Sequence, residues 1–207
     1  FLSKGHCTPA YYAVMAARGY VPHEELLTFR AMGSRLQGHP SNTHLPGVDS
    51  SSGSLGQGLS LANGAALAAR YEGLGARYYV MIGDGESQEG QIWEAAMTAA
   101  AQGLDNVCAI VDVNGIQLDG TVESVKSLGD LPAKWRAFGW NVIDIDGHDL
   151  RAVDDALTEA ARTKGVPTTI ISRTVKGKGV SFMENTAKYH GLAPTDEELT
   201  TALEELR

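Results

Sequence analysis

The sequence predicts an α/β fold, a parallel sheet flanked by helices, and three adjoining stretches carry that prediction. Tyr78 to Ile82 (YYVMI) is a short aromatic and apolar run closed by Gly83-Asp84-Gly85. Gly90 to Gly103 is rich in alanine, with Trp93, Glu94 and Met97, and Gly103 is a natural helix stop. Val107 to Val113 (VCAIVDV) is a second apolar run, ending at Asn114-Gly115. Runs this apolar suit strands buried on both faces of a parallel sheet. The unit is therefore βαβ, and its neighbouring strands present their carboxyl ends to one crevice, where ligands bind. Asp84 and Asn114, far apart in sequence, are thereby expected side by side.

From the start of the chain, Phe1 to Tyr20 gives a polar turn and then a helix opened at Thr8-Pro9 and stopped at Gly19. Pro22 to Met32 (PHEELLTFRAM) predicts a second helix, whose His23, Glu24 and Glu25 form a solvated face without chemistry. Gly33 to Ser52 is a loop rich in Gly, Pro and Ser, too long for a mere connection and so expected to carry function. His39 stands in it within GHP, and His44 reads as surface. Gly53 to Gly58 (GSLGQG) opens an Ala-rich helix reaching about Tyr71. Glycines at a helix start let a ligand approach the backbone amides, and the positive helix end suits an anion or an electron-rich ring. Plain close packing of helix on sheet would call for the same glycines.

Beyond the central unit, Gln117 to Asp130 is a polar segment and Leu131 to Phe138 a short helix. Trp140 to Ile145 (WNVIDI) predicts a strand, and Asp146-Gly147-His148-Asp149 a chain reversal that caps a helix from Leu150 to Lys164. His148 is structural on this pattern. Thr168 to Thr174 is the last strand, followed at its carboxyl end by Val175-Lys176-Gly177-Lys178-Gly179. That segment is either a point-charge contact for a diphosphate or a flexible basic turn. Thr195 with Glu198 three positions on is a capping box for a final helix.

The chemistry centres on the turn after Ile82. A dinucleotide turn needs GxGxxG, whereas Gly83-x-Gly85 lacks the third glycine and sets Asp84, Glu86 and Glu89 where a pyrophosphate would lie. Bare carboxylates there would repel it, and no GxxxxGK[ST] segment occurs. A divalent cation between Asp84 and the phosphates resolves the conflict. Mg²⁺ takes octahedral oxygen ligands from protein, phosphate and water. The Asp84 carboxylate, the Asn114 carboxamide oxygen and the Ile116 backbone carbonyl would fill the protein side, with Ca²⁺ or Mn²⁺ as substitutes. The bland alternative is a chain reversal at Asp84 and a tight loop at Asn114-Gly115.

With 207 residues, 43% hydrophobic, the chain can bury a sizeable single core. A net charge of -8 argues against a nucleic-acid partner. Cys7 and Cys108 make no disulfide framework, so a reducing cytoplasm is expected; Cys7 reads as a small packed residue. No run is long enough for a membrane span and no signal-peptide pattern opens the chain.

GDG followed by Asn after thirty residues resembles the thiamine-diphosphate motif, and GDGESQEGQIWEA is similar to transketolase in particular, since the Glu89-Gly90 step replaces the GG usual in deoxyxylulose-phosphate synthases. The resemblance runs from SKGH (Ser3–His6) to YHG (Tyr189–Gly191). It implies a thiamine-diphosphate-binding fold of the diphosphate-side type, with Mg²⁺ on Asp84, Asn114 and Ile116. It also implies cofactor contacts from His6, Gly53, Ser54, Leu55, Asp84, Gly85, Glu86, Asn114, Lys176 and His190, with Gly53 and Leu55 against the cofactor's rings. His6, His39 and His190 are the implied proton-handling and substrate-contacting residues. Some members carry a further histidine where Ala187 stands, and that role is not transferred. Glu89 and Glu94 match positions at the family's subunit interface, or else form one solvated helix face.

The implied activity is transfer of a two-carbon ketol unit from a ketose (phosphate) to an aldose (phosphate). The family's leading segment and its pyrimidine-binding domain, which supplies an assisting glutamate, are not in these residues. The expectation is a single domain over residues 1–207, the N-terminal subunit of a split enzyme in preference to a fragment of a longer, fused one. It would need a C-terminal partner subunit carrying the pyrimidine domain, in an α2β2 assembly. Alternatives are a related ketol transferase or synthase of specialised sugar metabolism and a non-catalytic regulatory homologue.

Overall fold

The computed structural model describes all 207 residues, Phe1–Arg207. In chain order its elements are α1 (Thr8–Ala17), α2 (Gln57–Tyr71), β1 (Tyr78–Gly83), α3 (Gly90–Ala101) and β2 (Val107–Val113), then a small hairpin of β3 (Ile116–Gln117) and β4 (Gly120–Thr121). There follow α4 (Val122–Lys126), α5 (Leu131–Ala137), β5 (Asn141–Asp146), α6 (Leu150–Arg162), β6 (Thr168–Arg173) and α7 (Asp196–Glu205). Four strands form one parallel sheet in the order β1-β2-β6-β5. Gly83 pairs with Asp112 and Val113 with Arg173. The turns leaving β1, β2 and β6 therefore crowd one edge of the sheet.

Helices cover both faces, as a parallel sheet requires. Leu59, Ala62 and Ala66 of α2 and Ile92, Ala95, Ala96 and Ala99 of α3 pack with Val80, Ile82, Val107, Ala109 and Val111, and Trp135 and Trp140 extend this core. The run of alanines lets two helices approach the strands closely. On the other face Ala156 and Ala160 of α6 meet Cys108 and Ile170. Burial there pushes the Cys108 thiol up to about 12, whereas Cys7 is half-buried. One thiol per chain is accordingly expected to react with a disulfide reagent in the native protein and two after unfolding. Two fast equivalents in the native state would contradict the burial of β2.

A third, separate cluster of Tyr12, Met15, Ala16, Val21, Leu36, Leu45 and Val48 sits beneath α1. Leu36 and Leu45 are completely buried, so the long 33–52 loop is ordered by a small core of its own.

Three expectations are corrected. First, β1 is an edge strand with Tyr79 38% exposed, not a strand buried on both faces. Its free edge is taken by the start of the chain, where Leu2 bridges Met81 in parallel and the Met81 N–H donates to the Phe1 carbonyl at 2.9 Å. Second, residues 22–32 form only a 3₁₀ segment, His23–Thr28. Leu26 and Phe29 reach the cluster beneath α1 while Leu27 and Met32 are fully exposed, so the apolar pattern has no single face for a helix to bury. Third, the polar segment 117–130 contains β4 and α4, the latter capped by the Thr121 hydroxyl accepting from the Ser124 N–H at 3.1 Å. Val122 gives α4 its anchor in the main core. The capping box at Thr195 and Glu198 forms at the start of α7 as expected.

Candidate functional site

Asp84 follows β1 directly and extends the ladder by one bond, its N–H donating to the Asp112 carbonyl at 3.1 Å. Its side chain is buried. Oδ1 accepts from the Gly85 N–H at 2.7 Å and Oδ2 from the Gly115 N–H at 2.6 Å. The second bond ties the turn after β1 to the turn after β2 and sets Asp84 beside Asn114. Asn114 Oδ1 accepts from the Ile116 N–H at 3.0 Å, and Nδ2 donates to Asp112 Oδ2 at 2.9 Å. Burial holds the Asp84 carboxyl above its usual range, Asp112 adds to this, and the two N–H donors oppose it. A cation beside Asp84 would relieve that cost. No group of three His, Cys, Asp or Glu side chains converges anywhere in the chain. A metal here would thus rest on one carboxylate, one carboxamide, backbone oxygen and the oxygens of its ligand, a set that suits Mg²⁺.

Sequence reasoning missed Asp112. It sits on β2 two residues before Asn114, whose amide, just past the strand's end, reaches back to it. Its Oδ2 accepts from Lys4 Nζ as well as from Asn114, and its Oδ1 accepts from the Thr174 hydroxyl. One carboxylate thereby joins the SKGH turn, the Asn114 amide and the root of the Lys176 loop. Burial opposes its charge, yet Lys4 and the Thr174 and Asn114 donors hold its pKa below the usual range. A charged residue inside the apolar run VCAIVDV was the signal that could have found it.

The same edge carries a group of basic side chains. The His6 and His190 rings lie 5.0 Å apart between centroids. Lys176 has no acidic partner in the chain, and His190 Nδ1 is buried without a hydrogen bond. Burial, then Lys4, lowers the Lys176 pKa. Burial, then Lys176 and Lys4, lowers that of His190. An unpaired ammonium and an orphaned ring nitrogen are what a bound diphosphate would satisfy.

His6 is lowered to about 4 by burial and by the charges of His190, Lys4, Lys176 and His39. Its folded pKa lies below the unfolded value, so protonation disfavours the fold. This contribution leaves stability intact above about pH 6.5 and erodes it as pH falls towards 4. NMR titration of the six histidines should show one midpoint near 4 that moves upward when inorganic pyrophosphate binds. A His6 midpoint at the ordinary value with no response would remove His6 from the anion site.

The glycine turn is placed against these residues. A Cβ on Gly5 would meet the Ser52 hydroxyl at 2.5 Å and the Gly53 nitrogen at 2.9 Å, so the SKGH turn needs glycine to lie against the GSLGQG turn. The His39 ring rests over Gly53, 3.3 Å from where a Cβ would stand. Leu55 is half-buried and Ser54 exposed. Glu86 is 3% exposed and its carboxylate is used internally, accepting from the Gly56 N–H at 2.8 Å, the Gly83 N–H at 3.0 Å and the Ser3 hydroxyl. It braces the two glycine turns together and has no visible free oxygen for a ligand. Glu89 and Glu94 are exposed at the start of α3. His148 Nε2 accepts from the Val175 N–H at 2.8 Å and so steadies the Lys176 loop, and His44 stays on the surface with Ser41 and Thr43.

Comparison with known proteins agrees with this geometry. The family described as "Transketolase, thiamine diphosphate binding domain" matches residues 1–206. A 6-deoxy-6-sulfo-D-fructose transketolase subunit, SqwG, of Clostridium sp. (strain MSTE9) is 45% identical over 205 residues, 99% of this chain and 74% of that one. An apulose-4-phosphate transketolase subunit of Phocaeicola vulgatus is 41% identical over 99% of this chain and 73% of its own length. The crystal structure of transketolase from Campylobacter jejuni superposes with a TM-score of 0.92 at 32% identity, covering 99% of this chain and 33% of that one. Family match and fold thus extend over essentially the whole chain, which belongs to the transketolase family as its thiamine diphosphate-binding domain.

Proposed function

We propose that this chain is the diphosphate- and magnesium-binding subunit of a two-component transketolase, transferring a two-carbon ketol unit from a ketose to an aldose with a partner subunit that carries the pyrimidine-binding domain, in an α2β2 assembly. The observation that carries this is the bond from the Gly115 N–H to Asp84 Oδ2, which ties the turn of Asp84 to the turn that bears Asn114. The cofactor supplies the carbanion chemistry of ketol transfer. Asp84, Asn114 and the Ile116 carbonyl would hold the cation, with Gly85 in the same turn. Lys176, His6 and His190 would hold the diphosphate oxygens, and a neutral His6 can donate to one of them or relay a proton. Gly53, Ser54 and Leu55 offer a close backbone approach to the rings. His39, lying over Gly53, would contact the reacting carbons of the sugar. Glu86 supports these turns from beneath, and Glu89 and Glu94 are left for the contact between subunits.

The two relatives compared above act, by their names, on 6-deoxy-6-sulfo-D-fructose and on apulose 4-phosphate. Those names favour an anionic sugar of specialised metabolism over the pentose phosphate pathway. Two free cysteines support a reducing, cytoplasmic setting, and no helix is long and apolar enough to cross a membrane.

Calorimetry with thiamine diphosphate and Mg²⁺, with and without the partner subunit, tests the proposal together with a ketol-transfer assay. Mg²⁺-dependent binding, and turnover only when both chains are present, are expected. Turnover by this chain alone would overturn the two-component assignment, and no Mg²⁺-dependent binding in either preparation would overturn the site.

A further inference from the structure

His190 sits in a single 3₁₀ turn, Lys188–His190, none of whose residues is buried, so no apolar anchor sets the turn's rotation. The His190 N–H donates to the Ala187 carbonyl at 2.9 Å, which closes the turn without orienting it. Orientation comes from α7. The Tyr189 hydroxyl donates to Glu198 Oε1 at 2.7 Å. Lys188 Nζ donates to the same oxygen at 3.0 Å and lies over the Tyr189 ring, 4.6 Å from its centroid. Phe182, beyond the Lys176 loop, packs edge-on against Tyr189 with 5.5 Å between centroids. The other oxygen of Glu198, Oε2, accepts from the Thr195 N–H at 2.9 Å and completes the capping box. One carboxylate is thereby fixed to the start of α7 by one oxygen and to the turn bearing His190 by the other. The Tyr189 hydroxyl, the Thr195 N–H and Lys188 hold the Glu198 carboxyl down at about 2, so it accepts as a carboxylate wherever histidines titrate. The far end of α7 is fastened too. Glu205 accepts from the Ser181 N–H and from its hydroxyl, each at 2.6 Å, and Leu206 lies against Gly179. The helix thus ties the Lys176 loop to the His190 turn.

We propose that Glu198, acting through the Tyr189 hydroxyl, is a positioning residue that aims the His190 ring at the cofactor's diphosphate. The inference rests on the cofactor site proposed above. Adjacent side chains of a 3₁₀ turn leave it about a third of a turn apart. Pinning Tyr189 to α7 therefore turns His190 the other way, to where its ring meets that of His6. Nδ1 of His190 is buried without a hydrogen bond there, so the ring gains little from its own position and the turn has to be held from outside. The capping box, which local rules assign to helix stability alone, has this second use.

The test is calorimetry of thiamine diphosphate with Mg²⁺ on the chain assembled with its partner subunit, paired with melting curves. Tyr189→Phe keeps the ring and its contact with Phe182 but removes the bond to Glu198. It should weaken cofactor affinity about 10-fold while the thermal midpoint stays within about 2 °C. Glu198→Ala should lose at least as much. Glu198→Gln, which keeps an acceptor for Tyr189 and a capping-box side chain, should stay within about 3-fold of the original affinity. Thr195→Ala removes the cap of the same helix without touching Tyr189 and should leave affinity within about 2-fold. In a His190→Ala background Tyr189→Phe should change affinity no further, since its effect runs through that ring. An undiminished loss in that background, a loss in Thr195→Ala equal to that in Tyr189→Phe, or unaltered affinity in Tyr189→Phe would overturn the proposal. Absence of Mg²⁺-dependent binding by the unaltered assembly, or full affinity in His190→Ala alone, would instead refute the diphosphate contact assigned to His190, and the role of Glu198 with it.

Discussion

Asp84→Asn is expected to abolish Mg²⁺-dependent binding of thiamine diphosphate, weakening it at least about 100-fold, while the fold survives. The asymmetry follows from the surroundings of the side chain. Its two oxygens each accept one backbone N–H, and an asparagine retains one of these bonds. Burial and the neighbouring Asp112 disfavour the charge in the ligand-free chain, so neutralising it relieves a cost there. What is lost is the anionic oxygen that a magnesium ion requires, and with it the bridge that lets phosphates approach an acidic turn. Calorimetry with and without Mg²⁺, paired with a melting curve, separates the two effects. Cofactor affinity within a fewfold of the original protein would mean that Asp84 does not ligate the metal.

The second large effect is expected at Asp112, where Asp112→Ala should cost about 3 kcal/mol and lower the melting temperature by roughly 10 °C. Lys4 and Asp112 expose only 12% and 21% of their side chains. Removing the carboxylate strands a buried ammonium and leaves Thr174 and the Asn114 amide without their acceptor. Asp112→Asn keeps acceptor oxygen for Thr174 or Asn114 but not the countercharge for Lys4, and should fall between the two. Cofactor binding should weaken in both variants, because the amide of Asn114 is no longer held in one orientation. A melting temperature within about 2 °C of the original in Asp112→Ala would show that the carboxylate is not the hub of this edge.

The difference between these two residues marks what was legible in the sequence. Asp84 and Asn114 could be placed together because apolar strand, helix and apolar strand leave a parallel unit few ways to close, and both residues fall where its strands end. The four strands of the main sheet, α1, α2, α3, α6 and the cap at Thr195 followed from the same local rules. Asp112 was overlooked because its partners Lys4 and Thr174 are 108 and 62 positions away. No local pattern encodes those pairings. Glu86 was read towards the ligand because it follows GDG, yet its acceptors are satisfied by Ser3, Gly56 and Gly83, residues that meet only after the chain start has joined the edge of β1. The helix expected at 22–32 failed for a tertiary reason as well, since only part of its apolar pattern finds anything to bury against.

The small cluster beneath α1 shares no buried residue with the core under the sheet. The segment bearing Arg30 and His39 is moored to that helix by the Thr8 hydroxyl on the Gly38 carbonyl and the Tyr12 hydroxyl on the Gln37 carbonyl, each at 2.9 Å. Such a patch forms its own cooperative unit, able to unfasten at a lower free energy than the central strands. Hydrogen exchange should be faster at Leu36 and Leu45 than at Val111, so that the segment bearing His39 breathes while the sheet edge that carries Asp84 keeps its native protection.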